Sequence, residues 1–153
     1  MRVYLFQPQI PQNTGNIART CAALGCSLRL VPPLGFDLDE SRLKRAGLDY
    51  WRHVDWKVAT RSELQDLVEW GEGVWLFSSN AKTAYHRVQF QAEDALVFGN
   101  ETQGLPPEWL KARSDRAVAM PQKRGIRCLN LSTAVGIGLY EAHRQLNFAP
   151  LSN

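Results

Sequence analysis

Five short apolar runs rich in β-branched and aromatic residues recur along the 153-residue chain, and each is followed by turn residues and a stretch with helical periodicity. The runs are residues 3–6, 27–31, 74–77, 95–98 and 117–120. This alternation predicts an α/β fold, with a mostly parallel sheet that carries helices on both faces. No repeat, low-complexity stretch or linker interrupts it, so we expect residues 1–153 to form a single domain.

The composition fits a globular domain and excludes several classes of protein. Hydrophobic residues make up 44% of the chain and charged residues 22%, with a net charge of only +3. The three cysteines and three histidines lack the spacing of a disulfide framework or a zinc site, so we expect reduced thiols, a cytoplasmic location and no metal. No apolar run is long enough for a signal peptide or a membrane span, so we expect no membrane partner.

The first helix has a well-defined apolar side. Ile17, Cys21 and Leu24 share one stripe, and Gly25 suits the C-terminal exit. At about 100° per residue, Arg19 points away from this stripe.

Local signals also mark the ends of the later helices. A capping box at Ser62 predicts a short helix that stops at Gly71, and residues 106–107 are prolines that open another. The last helix is expected to start with Ser132 as its N-cap. Small residues at every fourth position of that helix, suited to a helix–helix or dimer contact, are Ala134, Gly138 and Ala142.

The turn that precedes the first helix is the first candidate site. Asn13, Thr14 and Asn16 can cap free amides at a helix start, where anions are favoured. The single glycine matches neither the dinucleotide fingerprint nor the P-loop, so a nicotinamide enzyme lacks its motif. From these residues alone, a substrate loop and an ordinary capped helix with a solvated arginine both remain open.

Three further segments could carry chemistry. "FGNETQG" (98–104) and "MPQKRGIRCLNLS" (120–132) follow strand ends, where ligands of open α/β sheets bind, although surface turns look similar. Arg42, Lys44 and Arg45 lie near aromatic residues, which suits either single-stranded RNA or a solvated helix face. No constellation for hydrolysis stands out.

Taken together, these segments resemble one family, the SPOUT-superfamily RNA ribose methyltransferases. The matching stretches are residues 8–25, 43–51, 98–106 and 127–146, which occur in the family's order and spacing. The resemblance is closest to the small single-domain enzymes that methylate the ribose 2′-hydroxyl of cytidine or uridine at tRNA position 34. It implies S-adenosyl-L-methionine as cofactor, tRNA as substrate, a homodimer and a C-terminal trefoil knot, a feature that general topology rules would not suggest. The alternatives are methylation at another tRNA or rRNA position and a non-catalytic RNA-binding module.

The resemblance assigns roles to individual residues. Arg19 matches the catalytic arginine, with Asn13 and Asn16 as supporting neighbours, and Tyr140 matches a tyrosine near substrate. The positions that match the cofactor site are Phe77, Ser78, Gly99, Glu101, Gly104, Met120, Cys128, Leu129 and Asn130. The basic positions expected to contact RNA are Arg42, Lys44, Arg45, Lys123, Arg124 and Arg127. Relatives commonly have Ser at position 128 and Pro or Ser at position 100, where this chain has Cys128 and Asn100.

Overall fold

A computed structural model describes residues 1–38, 51, 53–123, 125, 128–149 and 151. The strands in this part of the chain are β1 Arg2–Phe6, β2 Ser27–Val31, β3 Trp56–Val58, β4 Val74–Phe77, β5 Thr83–Ala84, β6 Ala95–Phe98 and β7 Ala117–Ala119. These seven strands form one sheet in the order β3-β2-β1-β6-β4-β7-β5, and every pairing is parallel.

The parallel sheet confirms the predicted fold class. All five predicted runs are strands, although β7 ends one residue earlier than expected. The sequence missed β3 and β5 because they span three and two residues at the two edges of the sheet, too few for a periodic pattern.

Four α-helices are present among the described residues: α1 Pro11–Leu24, α2 Arg61–Trp70, α3 Pro107–Ala112 and α4 Leu131–Gln145. A 3-10 turn at Tyr85–Arg87 follows β5. As predicted, the prolines open α3, and Gly25 ends α1 in the left-handed conformation, with φ of 64°. None of these helices is long and apolar enough to cross a membrane.

Three predicted helix starts were wrong. Helix α1 begins at Pro11, so Asn13, Thr14 and Asn16 lie inside it and do not cap it. The capping box of α2 joins Thr60 and Glu63, because the same pattern starts two residues before Ser62. Helix α4 is capped by Asn130 instead of Ser132, since the Asn130 Oδ1 atom accepts from the backbone N–H groups of Ser132 and Thr133.

Apolar side chains cover both faces of the sheet, which follows from the alternation of side chains along each strand. Val3 and Leu5 of β1 face the core that includes residues of α1 and α4. Tyr4 and Phe6 face the opposite core, which includes residues of α2 and α3.

The small residues of α4 pack within this chain. A Cβ atom added at Gly138 would lie 3.2 Å from the Phe77 ring and 3.4 Å from the Phe98 ring, and Ala142 is fully buried. The expected dimer stays a prediction. The ridge lets α4 sit close to the carboxyl ends of β4 and β6.

Candidate active site

All strands of the sheet are parallel, so the loops that follow them meet at one edge, which we call the carboxyl edge. The loops after β1, β4, β6 and β7 carry most of the predicted site residues there. Ligands of open α/β sheets bind at this edge, so the contacts among these loops define the candidate site.

A carboxylate from the loop after β6 caps the start of α1. Glu101 accepts hydrogen bonds from the backbone N–H groups of Gln9 at 2.9 Å and Ile10 at 3.2 Å. No side chain of α1 itself caps this end, because Ile10 occupies the N-cap position. Glu101 thus satisfies the N–H group of the N-cap residue and that of the residue before it, from about 90 positions further along the chain.

The same carboxylate connects to the start of α4 through Asn13, which is only 5% exposed. Asn13 donates from Nδ2 to Glu101 at 3.0 Å, and its Oδ1 accepts from Asn130 Nδ2 at 2.9 Å. We call the chain Glu101–Asn13–Asn130 the amide relay. It joins α1, α4 and the loop after β6 by side-chain hydrogen bonds.

The loop after β6 is closed by its own backbone. Gly104 donates to the Asn100 carbonyl at 3.2 Å, and Asn100 Oδ1 accepts from the N–H groups of Thr102 and Gln103. A Cβ atom at Gly99 would lie only 2.0 Å from the backbone carbon of Gly104. Glycine is therefore required at position 99 for this loop to close.

The segment before α4 also meets the loop after β4. Cys128 donates from its thiol to Ser79 Oγ at 3.4 Å, a long contact typical of sulfur. The neighbouring Leu129 is 38% exposed, which is a high value for leucine beside a candidate site. The three loops expected to hold the cofactor are therefore joined to one another or to α1.

The predicted catalytic residues fall into two groups. Arg19 and Asn16 lie one turn apart on α1 and are exposed, as the apolar stripe predicted for Arg19. Asn13 is instead buried and bonded to Glu101 and Asn130. Tyr140 is 51% exposed on α4, about 13 Å along the axis from the first residue of that helix.

Among the predicted cofactor residues, two are occupied by the fold itself. The Phe77 ring is buried and stacks on Phe98 with centroids 4.4 Å apart. The Ser78 N–H donates to the Val118 carbonyl at 2.9 Å. Met120 is half-buried against the α1 and α4 core, and Gly104 adopts a φ of 71°.

Of the predicted RNA-contacting residues, Arg42, Lys44, Arg45, Arg124 and Arg127 lie outside the described residues, and Lys123 is exposed. Sequence reasoning missed two further exposed cations near the same edge, Arg61 at the start of α2 and Lys82 just before β5. The Arg61 guanidinium lies 5.6 Å from the centroid of the Phe6 ring, at the end of β1. Arg61 follows β3 by three residues and Lys82 directly precedes β5, so recognition of these two strands would have placed both cations.

The opposite end of the sheet holds a buried thiol and imidazole. Cys26 Sγ lies 3.3 Å from His143 Nε2, beside a cavity of about 150 Å³. Burial raises the pKa of Cys26 to about 11 and also raises the pKa of Cys21, while it lowers the pKa of His143. The described cysteines are free, as predicted, and no cluster of three metal-ligating side chains occurs in the described part of the chain.

An open parallel sheet with interlocked loops at its carboxyl edge defines an α/β protein built to bind a ligand there. The chain belongs to the SpoU rRNA Methylase family, whose model matches residues 1–140. This confirms the resemblance to SPOUT methyltransferases.

Named relatives agree with this family. A tRNA (cytidine(34)-2'-O)-methyltransferase from Saccharophagus degradans is 43% identical, over 96% of this chain and 96% of the relative. A structure solved for the 2-OH methylation of C/U34 on tRNA is 44% identical with a TM-score of 0.86, over 95% of both chains. An AdoMet-bound rRNA methyltransferase from Sinorhizobium meliloti is 27% identical with a TM-score of 0.82, over 99% of this chain and 57% of that one.

Proposed function

We propose that this protein transfers a methyl group from S-adenosyl-L-methionine to the ribose 2′-hydroxyl of nucleotide 34, a cytidine or uridine, in tRNA. The observation that carries the proposal is the interlocking of the carboxyl-edge loops through Glu101, Asn13 and Asn130. The activity and site named for relatives above 40% identity over nearly the whole chain support it. Translation-related substrates also favour the predicted cytoplasmic location. The C-terminal knot stays a prediction.

The residues of the carboxyl edge fit the cofactor. The backbone at Gly99 lies close to that of Gly104, and Leu129 offers an exposed apolar surface for an adenine ring. Glu101 has its carboxylate engaged with α1, so we assign it to holding the loop. Phe77, buried in the core, shapes the floor of the site instead of contacting the ligand with its ring face.

The proposed chemistry asks little of the protein beyond alignment. The bound cofactor supplies an activated methyl group on a sulfonium sulfur, so transfer needs an in-line ribose oxygen and the loss of one proton. A guanidinium group is a poor general base. We assign Arg19 to clamping the phosphate beside the target ribose and stabilising the developing alkoxide, with Asn16 one turn away on the same exposed face.

Basic residues near the carboxyl edge would bind the tRNA backbone. Lys123, Arg61 and Lys82 are exposed there, and we add the last two to the predicted set that includes Arg42, Lys44, Arg45, Arg124 and Arg127. Such contacts release counterions, so tRNA affinity should fall steeply as salt rises.

We also propose that two copies associate through the outer face of α4. Ile137, Tyr140 and Phe148 are exposed by 37%, 51% and 37%, and the rings of Tyr140 and Phe148 are in edge contact. A second copy would cover this apolar stripe and place Tyr140 at an interface. Ile137→Glu should shift sedimentation to the monomer, whereas Ser62→Glu on exposed α2 should not; a monomeric wild type would contradict the proposal.

The direct test is incubation with radiolabelled S-adenosylmethionine and total tRNA, followed by mapping of the labelled nucleotide. Label on the ribose of nucleotide 34 supports the proposal. Label at another position of tRNA or rRNA would replace the substrate, and tRNA binding with no transfer would indicate a binding module. Arg19→Lys with near-normal turnover would contradict the bidentate clamp.

A further inference from the structure

We infer that Glu101 and Asn13 are positioning residues, which lock the helix that carries Arg19 against the loops assigned to the cofactor. The identity of those loops and the role of Arg19 rest on the proposed function. The lock itself rests on the direction of the hydrogen bonds in the amide relay.

The relay has only one orientation that satisfies all its members. Asn130 Oδ1 is used at the start of α4 by the N–H groups of Ser132 at 2.9 Å and Thr133 at 3.4 Å, so its amide nitrogen faces Asn13. Asn13 must then present Oδ1 to Asn130 and Nδ2 to Glu101. The caps of two helices are thereby coupled through one buried side-chain amide.

Glu101 suits the end of this relay because an ionised carboxylate only accepts hydrogen bonds. It receives three donors, namely Asn13 Nδ2 and the N–H groups of Gln9 and Ile10. Its charge also lies at the positive end of the α1 dipole. The first turn of α1 is therefore held from outside the helix, and Arg19 lies about 9 Å further along the same axis from Asn13.

This arrangement makes a specific prediction for Asn13→Asp. The substitution keeps the side-chain shape and the acceptor for Asn130, but it replaces the donor with a carboxylate oxygen about 3 Å from Glu101. Two carboxylates this close hold one proton between them and titrate as a pair. The relay should fail at neutral pH and recover as the pH falls and that proton is bound. The other ionisable groups nearest in sequence on these elements are Arg19 and Cys128.

The reciprocal change should restore the relay. With Glu101→Gln added to Asn13→Asp, the Gln nitrogen can take the place of Oε1 and donate to the new carboxylate, while its oxygen, in the place of Oε2, accepts from the Gln9 N–H. The bond from the Ile10 N–H is lost, so the relay is restored with a weaker cap on α1. The double variant has the same net charge as the wild type, and it lacks the repulsion between two carboxylates that Asn13→Asp introduces. Glu101→Gln alone can keep its oxygen in the place of Oε1, where it accepts from Asn13 and Ile10. Its nitrogen then faces the Gln9 N–H, so this variant should be impaired less than Asn13→Asp.

The experiment measures kcat, KM for tRNA and melting temperature between pH 5 and 8 for the wild type, both single variants and the double variant. Gln12→Glu, an exposed position next to Asn13, is the charge-matched control. Asn13→Asp should lose about tenfold or more in kcat at pH 8 with a smaller change in KM, and recover towards pH 5 relative to the wild type. The double variant should exceed Asn13→Asp at pH 8, and Gln12→Glu should keep the pH profile of the wild type.

Two results would overturn the inference: an Asn13→Asp profile parallel to that of the wild type, or a double variant no better than the worse single variant. The melting temperatures should follow the same pattern as kcat. If the wild type transfers no methyl group to tRNA, the proposed function fails, and the melting temperatures still decide whether the relay exists.

Discussion

Replacing Gly99 with alanine tests whether the closed loop after β6 forms the cofactor site. The new Cβ would lie 2.0 Å from the Gly104 carbon and 2.3 Å from both the Gly104 oxygen and the Leu105 nitrogen. All three are backbone atoms, so no side chain can move aside. The loop must open between Gly99 and Leu105.

The cost of opening follows from the hydrogen bonds that close the loop. Three are lost, from the N–H groups of Thr102, Gln103 and Gly104 to Asn100. At about 1 kcal/mol each, the sum is ~3 kcal/mol. If binding requires the closed loop, this corresponds to roughly 150-fold weaker affinity for S-adenosylmethionine.

Titration calorimetry with S-adenosylmethionine measures this effect directly. The matched control is Gly136→Ala in α4, where an added Cβ meets no atom within 4 Å and affinity should be unchanged. Gly99→Ala that binds S-adenosylmethionine as tightly as the wild type would refute the assignment of this loop to the cofactor.

Two further predictions concern charge. Arg61→Ala should reduce the slope of log affinity for tRNA against log salt by about one. The control Arg116→Ala also removes a cation that lies over an aromatic ring, and it should leave the slope unchanged. Equal effects of the two variants in filter-binding titrations would show that Arg61 does not contact the tRNA. The hydrogen bonds from Arg144 and Gln145 lower the pKa of Glu141 to about 2, so this carboxylate stabilises the fold above pH 4.5 and loses that contribution as the pH falls towards 2. Glu141→Gln should therefore cost ~1–2 kcal/mol of unfolding free energy at pH 7, with the difference shrinking in acid; a pH-independent difference in denaturant titrations would contradict this.

The repeating strand signals were sufficient to predict the parallel sheet. Each of the five recognised strands has a run of apolar residues, and the stripe of Ile17, Cys21 and Leu24 correctly placed Arg19 on the exposed side of α1. The two edge strands were missed because hydrogen bonding to a neighbour, and not their own sequence, makes them strands.

The site itself was predicted only in part, because its key contacts link residues far apart in sequence. The sequence predicted that Asn13 caps its own helix, yet its partners Glu101 and Asn130 lie 88 and 117 positions away. The small residues of α4 were ambiguous for the same reason, since only the fold shows that Gly138 faces Phe77 and Phe98. The resemblance to a family assigned roles to these positions, and the structure shows which groups Asn13 and Glu101 contact.

A tRNA with 2′-deoxyribose at nucleotide 34 lacks the one oxygen that is proposed to accept the methyl group. The wild-type protein should label an otherwise identical tRNA with ribose at that nucleotide and should leave the deoxy-substituted tRNA unlabelled. Equal incorporation of label into both substrates would exclude the 2′-oxygen of nucleotide 34 as the methyl acceptor.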